Sequence, residues 1–295
     1  MSRQATRANS PFAEAWNGMQ LGTLESASVR QMADALNAAF SDYVVPMHLS
    51  EEQFARKLQA DSTDVSLSGG AYVDDEVIAF ILHGYREIDG VRWIYNGGTG
   101  VRPGYRGQGL TRKLFDLLLP KLEARGVQRS VLEVVTDNQY AIRIYRDQGY
   151  ETRRHLLCFK GTRPAESTVE LNCRWIGEPD WSELATFWET EPSWQNTPES
   201  LRNKHSMRTL GAYIDDRLAG HATFSPAQGR VAVFGINPEF RGKGIGSSLI
   251  AEVQSRSEEA LSFINIASTA KDSLRFLDRL GFELFLEQYE MVLEL

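Results

Sequence analysis

The sequence predicts a mixed α/β protein built from two tandem copies of one unit, and three observations carry that expectation. One stretch is written twice: Val101-Arg-Pro-Gly-Tyr-Arg-Gly-Gln-Gly-Leu110 returns as Ile236-Asn-Pro-Glu-Phe-Arg-Gly-Lys-Gly-Ile245, with Pro103/Pro238, Arg106/Arg241, Gly107/Gly242 and Gly109/Gly244 in register. The stretch is flanked alike in both halves. Upstream, Gly70-Ala-Tyr-Val-Asp-Asp75 returns as Gly211-Ala-Tyr-Ile-Asp-Asp216, and downstream Gly149-Tyr150 returns as Gly281-Phe282. Landmarks that recur in one order with slightly changed spacing mark a duplicated domain rather than a short-period solenoid. The length agrees, since 295 residues make about two domains, each able to bury its own core.

Composition narrows the class. A formal charge of −7 argues against a nucleic-acid partner, which calls for a basic surface. The two cysteines, Cys158 and Cys173, are too few for a disulfide scaffold and fit a reducing compartment. There is no apolar run of membrane-spanning length and no signal-peptide core behind Arg3 and Arg7, so the expected location is the cytoplasm.

In the first copy, residues 1 to about 18 are small, polar and aperiodic and read as a mobile tail, so the domain is bounded at 21–161 after a 1–20 tail. Leu21 to Glu25 reads as a strand. Ser28 caps a helix with Met32, Leu36, Ala39 and Phe40 at helical spacing, which Pro46 ends. Ser50-Glu-Glu-Gln53 is a capping box that opens a second helix through Phe54 and Leu58. Leu67 to Val73, Asp74-Asp75 and Val77 to Tyr85 form a hairpin, and Asp89-Gly90 turns the chain into a strand from Val91 to Val101. Gly97, Gly98 and Gly100 inside that strand argue for a bulge or a close backbone approach. After the repeated loop a helix presents Leu110, Leu114, Leu117, Leu118 and Leu122, and Pro120 should kink it or split off its last turn. Val131 to Val135 is a strand interrupted by Glu133. A short helix capped by Asp137 or Asn138 follows and ends at Gly149, and Tyr150 to Phe159 closes the copy as its last strand.

Residues 162–168 read as a linker, and the second copy occupies 169–295. Val169 to Arg174 begins it as a strand. Trp175, Trp181, Trp188 and Trp194 follow in a helical region and read as packing residues. Strands at Thr209 to Ile214, Leu218 to Ser225 and Val231 to Ile236 precede the second loop, and Ile245, Leu249, Ile250 and Val253 line the helix behind it.

The loop itself carries the chemistry. Glycines before a helix let the backbone turn and approach a ligand, while the helix start offers unpaired N–H groups and a positive dipole end, which suits a phosphate. Arg106-Gly-Gln-Gly109-Leu-Thr111, followed by Asn138-Gln-Tyr-Ala141-Ile-Arg-Ile-Tyr145-Arg-Asp-Gln-Gly149-Tyr150, resembles the two signature motifs of the GNAT superfamily of N-acetyltransferases. The resemblance spans the chain from about Leu21 as two tandem GNAT-like domains. It implies a mostly antiparallel twisted sheet flanked by helices in each, with a splayed strand pair that receives acetyl-CoA. The activity it implies is acetyl transfer from acetyl-CoA to a primary amine on a small molecule or peptide.

Carried onto this sequence, the resemblance puts the cofactor on Val101, Arg106, Gly107, Gln108, Gly109, Leu110, Thr111 and Asn138 in the first copy. In the second it points to Arg241, Gly242, Lys243, Gly244 and Gly246. It makes Tyr145 the proton donor to the departing thiolate and Glu133 a candidate base, with His83 and His48 as rivals. The segment between the first two helices tends to line the acceptor in this family, so Tyr43, Met47 and His48 become candidate substrate contacts. The second copy holds the fuller glycine loop, through Gly246 where the first has Thr111. It also places Leu277 where the first has Tyr145, and Ala270 where the first has Asn138, and leucine cannot give a proton. The second copy is therefore expected to be catalytically degenerate; the alternatives are that it is the cofactor-binding active unit, or that the chain is a non-enzymatic acyl-CoA-binding or interaction protein.

Overall fold

The computed structural model describes residues 12–16, 18–42, 48–162 and 169–295. Two compact units result. Unit one comprises residues 1–133, 140–151 and 291–295, and unit two comprises 134–139 and 152–290, so neither is a single contiguous segment.

Unit one starts with β1 (Phe12–Trp16) and β2 (Met19–Thr23), an antiparallel pair. The stretch read as a tail to about residue 18 thus contains a strand, because its backbone finds a ladder partner that composition does not reveal. A single 3-10 turn at Leu24–Ser26 leads to α1 (Val29–Ala39) and α2 (Glu51–Asp61). Both helices carry complete capping boxes, Ser28 with Gln31 and Ser50 with Gln53. Strands β3 (Gly69–Val73), β4 (Glu76–Ile88) and β5 (Val91–Val101) continue the antiparallel order β1-β2-β3-β4-β5. The Asp74-Asp75 and Asp89-Gly90 turns both have positive φ at their two central residues, the geometry that matches hairpin twist.

Next come α3 (Leu110–Ala124), β6 (Arg129–Val135), parallel to β5, and α4 (Gln139–Asp147). Helix α3 runs unbroken through Pro120 to Ala124, so the expected split of its last turn does not occur. Leu114, Leu118 and Leu122 hold it against the sheet on both sides of the proline. On the other face Leu24, Met32, Leu36, Phe54, Tyr72, Phe80 and Leu82 form the core under α1 and α2.

Unit two begins with β7 (Glu151–Gly161), which pairs antiparallel with β12 (Leu261–Ala267). Between them lie β8 (Asn172–Ile176), α5 (Trp181–Ala185), α6 (Pro198–Arg202), β9 (Arg208–Ile214), β10 (Arg217–Ser225), β11 (Arg230–Ile236) and α7 (Ile245–Ser255). After β12 come α8 (Lys271–Arg279) and β13 (Glu283–Glu294). Strands β8 to β11 are antiparallel and β11–β12 is parallel, repeating the order of unit one. Phe159, Leu210, Phe224, Leu249, Phe263, Leu277 and Phe282 form its core. Trp181 and Trp194 are buried, as their reading as packing residues requires, while Trp175 is 36% exposed.

Candidate active site

Helices α3 and α7 start differently from α1 and α2. Their N-caps are Gly109 (φ 71°) and Gly244 (φ 80°), and no side chain caps either one. Gly107 and Gly242 are also left-handed, and a Cβ placed on Gly107, Gly109 or Gly242 would meet open space. The loops therefore leave room beside first-turn N–H groups that lack an intrahelical partner, and a diphosphate fits such a cradle. Gln108, Leu110, Thr111 and Lys243 lie within these same two turns.

The two loop arginines, though exposed, brace the loops. Arg106 donates Nε to the Val101 carbonyl at 3.2 Å, Nη2 to the Ala39 carbonyl at 2.9 Å, and both Nη atoms to Asp42. Arg241 repeats the brace with Nε on Ile236 O at 3.0 Å and Nη2 on Phe187 O at 3.1 Å. In this structure the Arg106 guanidinium ties the loop to the end of α1. The hydrogen bonds from Arg106 also hold the exposed Asp42 carboxyl below its usual range. Lys243 Nζ is turned to the Glu239 carbonyl at 3.0 Å.

Each parallel strand pair then separates. Pairing of β5 with β6 ends at Asn96–Leu132 and that of β11 with β12 at Val231–Phe263, and in both units the loop strand runs on five residues. Those residues, Gly97–Val101 and Ala232–Ile236, line one side of each opening. A bulge stands at the same place in both, at Gly97 and at Ala232. The bulge is therefore not caused by glycine. Gly97 and Gly100 answer to close packing instead, because a Cβ on Gly97 would lie 3.0 Å from Asp61 Oδ2 and one on Gly100 would lie 2.7 Å from the Phe80 ring.

Titratable groups gather at this opening in unit one. Glu133 follows the last β5–β6 pair, and its Oε2 accepts from the Tyr95 hydroxyl at 2.8 Å. Lys57 is ion-paired with Asp61 and donates to the Gly97 carbonyl at 2.8 Å. Nothing in the periodicity singled out Tyr95, Lys57 or Asp61, although the i, i+4 spacing of Lys57 and Asp61 was readable as a helix pair. Tyr145 lies on the inner side of α4, 9% exposed, its ring edge-on to Tyr150 at 5.7 Å. Asn138 immediately precedes that helix.

His83 is removed as a rival base. It is fully buried with Nδ1 2.8 Å from the Leu67 carbonyl, and burial lowers its pKa to about 4. His48 is exposed just before α2, while Tyr43 and Met47 lie outside the described residues.

In unit two a cleft of about 560 Å3 runs along the loop, bounded by Gly235, Arg241, Gly242, Gly244, Gly246 and α8. A Cβ on Gly246 would sit 3.1 Å from the Phe276 ring. The third glycine of this loop is thus required by packing, and Thr111 in unit one is no defect. Ala270 caps α8 without a side-chain bond, and Glu189 takes over, accepting from the Asp272 and Ser273 amides at 2.9 and 2.8 Å. Leu277 is fully buried in the core, and neither Ile264 nor Asn265, which follow the last β11–β12 pair, is a carboxylate.

This arrangement has relatives. A model of the acetyltransferase (GNAT) family matches residues 29–150 and again 173–282. The chain belongs to the GNAT family. Its two GNAT copies resemble those of a tandem GNAT protein from the clavulanic acid biosynthesis pathway, at 15% identity and a TM-score of 0.71 over 94% of this chain and 98% of that one. A GCN5-related N-acetyltransferase from Sphaerobacter thermophilus matches with a TM-score of 0.69 at 17% identity, over 95% of this chain and 97% of that one. One from Kribbella flavida gives 0.56 at 19%, over 93% and 70%. At these identities the GNAT structures bear on fold, and the tandem arrangement of this acetyltransferase agrees with them.

Proposed function

We propose that the protein is an acetyl-CoA-dependent N-acetyltransferase whose chemistry takes place in unit one, on a primary amine of a small molecule or peptide. The observation that carries this reading is the paired absence of side-chain caps on α3 and α7 beside open glycine turns, each next to a splayed strand pair. Unit one alone combines that cradle with Glu133 and Tyr145 at the matching positions. The acidic chain favours a cationic acceptor over a nucleic acid or an anionic membrane surface. No helix among the described residues is long and apolar enough to cross a membrane, and we place the enzyme in the cytoplasm.

Bound acetyl-CoA supplies the thioester that activates the acetyl group. The amides of Gly107 to Thr111 would hold its diphosphate, and Asn138, just before α4, is a further proposed cofactor contact. Glu133, held by the Tyr95 hydroxyl, takes the proton that the amine must lose, directly or through one water. The amides of Gly97–Val101 that do not pair with β4 would stabilise the charge that builds on the carbonyl oxygen. Tyr145 would give its proton to the departing sulfur and regain one from solvent. Unit two, with its loop and cleft but Leu277 in place of the tyrosine, binds the cofactor without turnover.

Thiol release from acetyl-CoA across a panel of primary amines tests the assignment. Tyr145→Phe and Glu133→Gln should each abolish most turnover while leaving acetyl-CoA affinity near that of the parent; unchanged turnover in both removes unit one from the chemistry.

A further inference from the structure

Two cavities lie along β11 in unit two. The cleft of about 560 Å3 runs past Phe234, Gly235 and Ile236 to the glycine loop. The other measures about 50 Å3 and is lined by Ala232 and Val233 of β11 and by Asn265 and Ile266 of β12, so it lies in the gap that opens where the two strands stop pairing. A gap of that size has room for a few waters. Glu189, Phe234 and Ser273 line both cavities and therefore stand between them.

The partition is made by one carboxylate and one ring. Glu189 comes from the segment after α5 and reaches the first turn of α8. One of its carboxylate oxygens accepts from the Asp272 amide at 2.9 Å, and the other accepts from the Ser273 amide and hydroxyl, both at 2.8 Å. A carboxylate at a helix start is held by charge-assisted hydrogen bonds and by the helix dipole together. The Phe234 ring lies against Phe263 of β12 and Phe276 of α8, with centroids 5.4 and 5.9 Å away, which ties the two strands and the helix together where the strands part.

Unit one has neither part. The loop arginines give the register, since Arg106 holds the Ala39 carbonyl as Arg241 holds that of Phe187. Two residues beyond these carbonyls stand Ser41 and Glu189. The Ser41 hydroxyl turns back to the Ala38 carbonyl at 2.9 Å and stays within its own segment. Thr99 stands where unit two has Phe234, just before the matching glycines Gly100 and Gly235, and its hydroxyl bonds to the Asn96 side chain. The same strand opening is thus shut by the chain's own side chains in unit two only.

Outside the partition the cleft keeps what a nucleotide diphosphate needs. It has the uncapped start of α7 at Gly244, Arg275 and Arg279 of α8, and an apolar wall of Phe187, Phe240 and Phe276. A thioester arm has to pass Glu189 and Phe234 to lie between the strands. We propose that unit two binds coenzyme A by its nucleotide end alone and takes the free thiol and the acetyl thioester alike, because Glu189 shuts the arm out of the strand opening. This rests on the reading of the cleft as a cofactor site.

The test uses the full chain carrying Gly109→Glu, which puts bulk and charge into the unit-one loop, titrated by calorimetry with acetyl-CoA, CoA and the nucleotide fragment 3′-phospho-ADP. Each should bind at one site per chain, acetyl-CoA within about threefold of CoA and the fragment within about tenfold. Adding Glu189→Ala, at an exposed position, should open the gap and tighten acetyl-CoA by at least about fivefold relative to the fragment, while circular dichroism stays that of the parent. Acetyl-CoA binding more than about tenfold tighter than the fragment before that change, or an unaltered ratio after it, would overturn the inference and leave the cofactor reading of unit two in place. No binding of any of the three, or binding that survives Gly244→Glu, would overturn both.

Discussion

The two copies share a backbone plan and differ where a side chain meets either chemistry or a covering helix. Both have the left-handed glycine turn, the arginine brace, the bulge and the five-residue strand extension past the last parallel pair. Register also exposes an exchange in the core: Phe80 and His83 of β4 occupy the positions held by His221 and Phe224 in β10. All four are buried, and the two positions of each strand face opposite sides of the sheet, so the copies carry phenylalanine and histidine on exchanged faces. Backbone features thus survive very different side chains, and the copies part at Tyr145/Leu277, the proposed proton donor and its replacement, and at Gly84/Ser225, the next position along the same two strands.

The sharpest way to break the comparison is through turnover. Glu133→Gln or Tyr145→Phe should lower kcat by about 10²- to 10⁴-fold, the usual worth of a positioned acid or base, while Leu277→Asn should affect only folding. Equal kinetic losses from changes in both units would erase the proposed asymmetry.

Gly84 and Ser225 form the next contrast. A Cβ on Gly84 would lie 2.0 Å from the Asp61 carbonyl oxygen at the end of α2. Gly84→Ser should therefore displace that helix and cost about 3 kcal/mol or more in urea unfolding. Ser225→Gly, where α6 is too short to reach, should cost at most about 1 kcal/mol. Similar costs for the two would mean that helix length is not what separates the copies.

Acid sharpens the histidine exchange. Burial lowers both His83 and His221 to a pKa of about 4, against about 6.5 when unfolded. The unfolded chain then binds more protons, so stability is complete above about pH 6.5 and falls as pH drops toward 4, by at most a few kcal/mol per histidine. His221→Phe, copying Phe80, should remove part of that slope in denaturant midpoints between pH 7 and 4.5. A slope that stays the same would show that His221 is not kept neutral by the fold.

The smallest effect concerns the caps. Ser28→Ala and Ser50→Ala should each cost about 1 kcal/mol of thermal stability, since each removes a bonded capping box. Changing Gly244 to serine should bring no comparable gain, because its φ of 80° strains any residue with a Cβ. A stabilising serine there would show that the left-handed turn at Gly244 is not what keeps that helix start without a side-chain cap.

The sequence by itself determined the duplication, the hairpins, the two capping boxes, the glycine turns and the split fate of Tyr145 and Leu277. These are local facts: a turn needs a left-handed residue, a cap needs a hydroxyl, and a proton donor needs an O–H, all within a few positions of one another. Tertiary structure alone decided what depends on partners distant in the chain. A strand pattern does not name its neighbour, so β7 pairing with β12, and the strand at Phe12–Trp16, could not be read in advance. That Arg106 bonds to Asp42 and the Ala39 carbonyl, and that Gly246 packs against Phe276 while lining the cleft, depends on residues far away in the chain. His83 looked like a base until the sheet closed over it. In each case the residue type was legible, but its role was fixed by which groups long-range packing brought within hydrogen-bond or van der Waals distance.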